Sequence, residues 1–148
     1  MSYKQPRSVQ VVIFAESESG REYLLLRRIA DHGGFWQFVT GSLEECEAHL
    51  QAAAREVFEE TGIVCSESDL IDIGLINTFE ISPLWLKKYA PGVTHNEEVC
   101  FALRVEKRPI RLDPVEHTEY GWVDYDSAMK MLYWESNRKA LDATQKMI

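Results

Sequence analysis

Between Gly41 and Ile63 the chain reads GSLEECEAHLQAAAREVFEETGI, a glycine-bounded stretch whose acidic side chains suit the binding of a hard divalent cation. At 3.6 residues per turn Glu56 and Glu60 are i,i+4 neighbours and Glu59 is i+3 from Glu56, so a helix here places these carboxylates on one side. Leu50, Ala53, Ala54, Val57 and Phe58 fall opposite and are expected to form the helix's apolar back. Arg55 stands i,i+4 from Glu59 and can pair with it, offsetting repulsion among the acids. Only oxygen ligands are on offer, with no Cys or His in ligand spacing, so the implied ion is Mg²⁺, with Mn²⁺ as the alternative. An ion held this way engages phosphates. Without it, acids packed so closely are expected to carry raised pKa values.

The elements that must position these groups can be read from the hydrophobic pattern. Residues 8–15 are β-branched and apolar, a polar turn centres on Ser19-Gly20, and 22–28 is apolar again, which predicts a hairpin. Residues 35–40 are predicted as a short extended segment leading into the acidic stretch. Strands are predicted over 70–81, 98–106 and 120–125, the first two separated by a loop over 82–96 that holds Pro83 and Pro91-Gly92. Two helical pieces follow, 126–132 and 136–146, with Ser136 or Asn137 as the N-cap of the second. Strands and helices mixed in this order indicate α/β or α+β layering.

Length and composition bound the function. With 148 residues, 45% hydrophobic content and no Pro/Gly/Ser-rich linker, the chain is expected to be one domain over 1–148. A formal charge of −8 without a basic stripe argues against a nucleic-acid partner and makes a metal the expected means of neutralising an anionic small-molecule substrate. Cys46, Cys65 and Cys100 are scattered and odd in number, which suggests neither a disulfide framework nor a zinc site. No run of about 18 apolar residues exists and no apolar leader precedes the first strand, so no membrane partner and cytoplasmic residence are expected. None of these features sets an oligomeric state.

The acidic stretch fits Gly-x5-Glu-x7-Arg-Glu-U-x-Glu-Glu-x-Gly-U, with U aliphatic, at every specified position. At average residue usage a chance match is on the order of 10⁻⁹ per starting point. The pattern resembles the Nudix box, and the chain resembles the Nudix hydrolases from end to end. That resemblance implies an α/β/α sandwich with a mixed central β-sheet, with the box as loop, helix and loop over 41–63. It implies an Mg²⁺-dependent enzyme that hydrolyses nucleoside diphosphates linked to another moiety. Carried over, Glu56 and Glu60 are the leading metal ligands, Glu59 is a further one, and Arg55 orients the carboxylates. Glu47 matches the first box glutamate, whose role is structural or outer, and Gly41 and Gly62 match loop positions where glycine permits φ > 0.

A closer likeness lies outside the box, in Tyr3-Lys4-Gln5-Pro6, Phe35 to Ser42, Tyr89-Ala90-Pro91-Gly92-Val93-Thr94 and Ser136-Asn137-Arg138. These segments look like the branch of the family that removes pyrophosphate from dihydroneopterin triphosphate in folate synthesis, also described as acting on dATP. By that similarity Lys4, Arg27 and Thr40 contact substrate, Phe79, Glu80, Ile81 and Ser82 line it, and Trp134 lies near it. Glu116 matches a glutamate outside the box that reaches the metal, and it is the first candidate for the general base, with Glu59 second. Lys4 and Arg27 suit phosphate oxygens, Thr40 offers a hydroxyl, and Phe35, Trp36, Phe79, Trp85 or Trp134 could stack on a flat heterocycle. His117, beside Glu116, reads as a local hydrogen-bonding residue rather than the base. Pro83 stiffens the end of the substrate-lining stretch, and Trp134 is larger and less polar than that position leads one to expect. Alternatives are a Nudix hydrolase of dATP, other (d)NTPs or ADP-ribose, and, more remotely, a Nudix-like module that senses a nucleotide without cleaving it.

Overall fold

Alternate residues of the first long strand feed two different layers. In the computed structural model, which describes residues 3–147, β1 (Arg7–Ser17) turns at Gly20, whose φ of 120° an L side chain rarely adopts, into β2 (Gly20–Arg28). Val9, Val11 and Ile13 point to one face of the sheet, whereas Gln10, Val12 and Phe14 point to the other. β3 (Trp36–Gln37) and β4 (Val39–Ser42) follow, then α1 (His49–Thr61), β5 (Ile71–Glu80), β6 (His95–Arg104), β7 (His117–Val123), α2 (Tyr125–Met131) and α3 (Glu135–Met147).

The seven strands form one mixed sheet. β1 runs parallel to β6, and its other edge pairs with β2 at one end and β4 at the other, both antiparallel. β5 continues the sheet beyond β6, while β3 and β7 flank β2. α1 covers one face over a core of Val9, Val11, Leu24, Leu26, Val39 and Phe101. α2 and α3 cover the other face over Val12, Phe14, Tyr23, Leu25, Ala102 and Leu141. This is the expected α/β/α sandwich.

Several local expectations shift. The extended segment 35–40 is two short strands with different partners, β3 on β2 and β4 on β1. β7 starts at His117 rather than 120, and Tyr125 opens a helix instead of closing a strand, because Asp124 caps α2 by accepting from the Ser127 N–H at 2.8 Å. α3 begins at Glu135, so neither Ser136 nor Asn137 is its N-cap; Asn137 is buried in the first turn with its amide on Gln10. The back of α1 is also rotated from the expected stripe. Ala52, Ala53, Val57, Glu60 and Thr61 are buried, while Leu50 and Phe58 are 36% and 45% exposed. The paired alanines let the helix lie close to the sheet, and Phe58 instead sits under the Arg111 guanidinium at 5.4 Å.

Candidate active site

The acidic front of α1 is organised by Arg55, which spends all five of its N–H donors. Its Nε and Nη2 grip Glu47 in a fork at 2.8 and 2.9 Å, Nη2 also reaches the Ser42 carbonyl at 3.0 Å, and Nη1 donates to Glu56 at 2.8 Å and Glu59 at 3.1 Å. Its hydrogen bonds to Glu47 come first among the causes that hold the guanidinium well above its ordinary pKa. The Glu47 carboxyl is held below its usual range for the same reason. Arg55 therefore ties the loop before the helix to two helical carboxylates, a wider role than the Glu59 pair expected from spacing.

Glu56 and Glu60 form a second unit. Glu60 is only 4% exposed, and the two carboxyls share a hydrogen bond. Burial is the first cause that pushes both upward, Glu60 well above the ordinary carboxylate value and Glu56 less, since Arg55 and the shared bond hold it down. Burial thus biases both carboxyls towards the protonated form, and this donor set of hard oxygens fits a divalent cation.

Space for Glu56 is made by Gly41, which does not have a positive φ as its loop-like position suggested. It lies in β4 opposite Val9, and a methyl group there would overlap the Glu56 carboxyl. Gly62 does meet the expectation: it ends α1 at φ 78° with its N–H on the Phe58 carbonyl at 2.9 Å.

Glu59 is half exposed and turned to Arg55, and Glu116 makes an ion pair with Arg28 at 3.2 Å. Among the described residues no three His, Cys, Asp or Glu side chains converge tightly enough to hold an ion. Arg28 was missed by sequence reasoning, which singled out Arg27. Leu24, Leu26 and Arg28 alternate onto the α1 face, so strand periodicity carried the signal. Arg27 faces the other way, paired with Glu119 at 3.0 Å and lying 6.0 Å from the Trp36 ring.

His117 is buried beside the pair, its Nε2 3.6 Å from Glu60 Oε1, and neither ring nitrogen has a hydrogen-bond partner among the described residues, contrary to the role expected for it. Burial, then Arg28, lowers its pKa to about 4, so it packs as a neutral ring. Lys4 belongs to the same neighbourhood. Burial, then Lys88 and Arg28, lowers its pKa, while Glu116 and Glu56 pull it back up.

Of the other expected substrate residues, Thr40 and Phe79 lie on the opposite face. Thr40 is the cross-strand neighbour of Gln10, and Phe79 that of Asn96. Ile81 is buried, Glu80 and Ser82 are exposed, and Ser82 begins the turn to Trp85. Trp134 packs edge-on against Phe35 and Tyr133, with centroids 5.4 and 4.8 Å away. The thiols are unpaired, and no helix of the described residues is long and apolar enough to cross a membrane.

Comparison with known proteins agrees with this architecture. The chain is 42% identical over 144 residues to the dihydroneopterin triphosphate diphosphatase of Escherichia coli K12, spanning 95% of this chain and 92% of that one. It is 38% identical over 145 residues to the protein of the same name from Haemophilus influenzae, spanning 95% and 88%. The solved E. coli dihydroneopterin triphosphate pyrophosphohydrolase superposes with a TM-score of 0.80 at 41% identity over 96% of both chains. Members of this family generally use divalent cations on small-molecule substrates. With the NUDIX domain model matching residues 4–144 as well, the chain belongs to the Nudix family and is a Nudix hydrolase.

Proposed function

We propose that the chain, as a single domain over 1–148, hydrolyses dihydroneopterin triphosphate to the monophosphate and pyrophosphate. The observation that carries this reading is the intact Glu56–Glu60 pair, clamped by Arg55, in a chain 42% identical to a diphosphatase of that name. When bound by Glu56, Glu60, Glu59 and Glu116, Mg²⁺ (or Mn²⁺) supplies charge neutralisation at the phosphates and acidifies a water.

The chain's own residues do the rest. Arg55 fixes Glu56 and Glu59 against rotation, so their oxygens keep one geometry through turnover. Glu116, released by Arg28, accepts the proton of the attacking water, with Glu59 as the next candidate. Lys4 and Arg27 donate to phosphate oxygens, Arg27 exchanging Glu119 for one of them, and Thr40 adds a hydroxyl. Phe79 and Trp134, both about half exposed, flank the heterocycle with Glu80, Ile81 and Ser82. Cytoplasmic residence, with the three thiols reduced, belongs to the same proposal.

The test is a substrate panel of dihydroneopterin triphosphate, dATP, other (d)NTPs and ADP-ribose with Mg²⁺ in ¹⁸O-labelled water. Pyrophosphate release with the highest kcat/KM on the pterin substrate is expected. A clear preference for dATP replaces the substrate, and no turnover of any member removes the reading.

A further inference from the structure

A second polar cluster lies across the sheet from the carboxylates, in the layer between the sheet and α3. Gln10, Asn77, Asn96, Glu98 and Asn137 are each no more than 8% exposed. Gln10 Nε2 donates to Glu98 Oε1 at 2.9 Å and to the Ser136 carbonyl at 3.3 Å, and Asn77 Nδ2 donates to the same Glu98 oxygen at 3.1 Å. Asn137 Nδ2 donates to Gln10 Oε1 at 2.7 Å, and Asn96 Nδ2 to Ser8 Oγ at 2.7 Å.

The cluster is unbalanced. Each of its amide NH₂ groups is already spent on a protein acceptor, whereas Asn96 Oδ1 and Asn137 Oδ1 are buried without a donor among the described residues, and both amides that reach Glu98 bond the same oxygen, Oε1. A buried acceptor without a donor is destabilising, and here two lie in one cluster with a buried carboxylate. Burial pushes the Glu98 carboxyl upward, the Asn77 and Gln10 amides holding it back. A core built for stability alone would match such acceptors internally. The cluster is also bordered by residues already assigned to substrate. Thr40 stands opposite Gln10, Phe79 opposite Asn96, and Trp134 accepts from the Asn137 N–H at 3.1 Å.

Resting on the reading that the triphosphate carries a flat heterocycle, we propose that Glu98, with the amide oxygens of Asn96 and Asn137, recognises the amino-pyrimidinone edge of that heterocycle. This edge, shared by pterins and guanine, presents an exocyclic amino group next to a ring N–H, adjacent donors whose chemistry complements acceptor oxygens. Adenine presents one amino group flanked by ring nitrogens whose lone pairs would face the same oxygens. A site built to hydrogen-bond a group rejects the analogue lacking it far more strongly than an apolar pocket does. Glu98 is thus a specificity-determining residue, and the metal-facing carboxylates act on whatever phosphate chain it brings in.

The test uses the unmodified enzyme first. dGTP and dITP differ only in the 2-amino group, and kcat/KM is expected to favour dGTP by at least about tenfold. Equal values overturn the proposal whether or not the pterin substrate is turned over, so its failure is distinct from failure of the proposed function. The second arm is Glu98→Gln, which replaces one acceptor oxygen by a donor at constant shape. The ratio of kcat/KM for dATP to that for dihydroneopterin triphosphate is expected to rise about a hundredfold, and the dGTP preference over dITP to vanish. A uniform fall on all substrates means that Glu98 only supports the fold, and it overturns the proposal.

Discussion

Gly41 of β4 lies directly beneath the Glu56 carboxyl, so that the absence of a side chain on one residue defines where the other's oxygens sit. Glu56 is the flexible partner and would be the one to move. Gly41→Ala is expected to lower kcat by about 10²-fold, with a stability cost of about 1–3 kcal/mol as the side chain is displaced from Arg55. Steady-state kinetics and urea denaturation on the same preparation check both.

Glu60 is buried and shares a hydrogen bond with Glu56. Glu60→Gln keeps the shape and that hydrogen bond and removes the charge needed for metal binding. A fall in kcat of at least about 10²-fold at saturating Mg²⁺ is expected, with metal-free stability kept. Near-normal turnover would refute the proposed ligand set.

Arg55 reaches Glu47, Glu56, Glu59 and the Ser42 carbonyl through a planar fork. Lysine keeps the charge and cannot span these partners. Arg55→Lys is expected to destabilise by about 2 kcal/mol, because partly buried acceptors are left without donors. The midpoint of urea unfolding measures it.

The loop into α1 is not optimised. Cys46 sits at φ 63°, where L side chains are strained, and Ala48 at the N-cap offers no side-chain acceptor, although Gln51 accepts from its N–H at 2.9 Å. Cys46→Gly and Ala48→Thr are each expected to stabilise by about 1 kcal/mol, raising Tm by about 2–4 °C apiece. Calorimetry on the single variants decides it.

Cys100 gives a pH test. Burial first, then Glu98, pushes its thiol up to about 12 from 9.0. Above pH 9 the unfolded chain ionises this thiol while the folded chain retains the proton, so stability falls as pH rises from 9 towards 12. Compared with Cys100→Ala, the wild type is expected to lose up to about 1.4 kcal/mol more per pH unit in that window. Denaturation midpoints at pH 8 to 10.5 provide the comparison.

The mixed strand and helix order and the acidic helix were legible in the sequence because period and spacing are local properties, whereas the sandwich was implied by the family resemblance. Ser19-Gly20, the alternation in β1 and the glutamate register on α1 each depend on residues within a few positions. What escaped depended on partners distant in sequence. The rotation that buries Glu60 and exposes Phe58 comes from α1 lying against β4 and β1, and Arg28 gains meaning only once Glu116 and Glu60 are beside it. Gly41 looked like a conformational glycine because its steric neighbour is fifteen positions away on another element.

Thr40 and Gly41 are consecutive, yet one looks towards α3 and the other towards α1. Inserting or deleting a single residue in β4 would therefore press a hydroxyl-bearing side chain against Glu56 and turn the bare glycine towards Gln10. The residue count of this strand is thus as constrained as its glycine, since parity alone keeps Gly41 on the α1 side and Thr40 on the α3 side of the sheet.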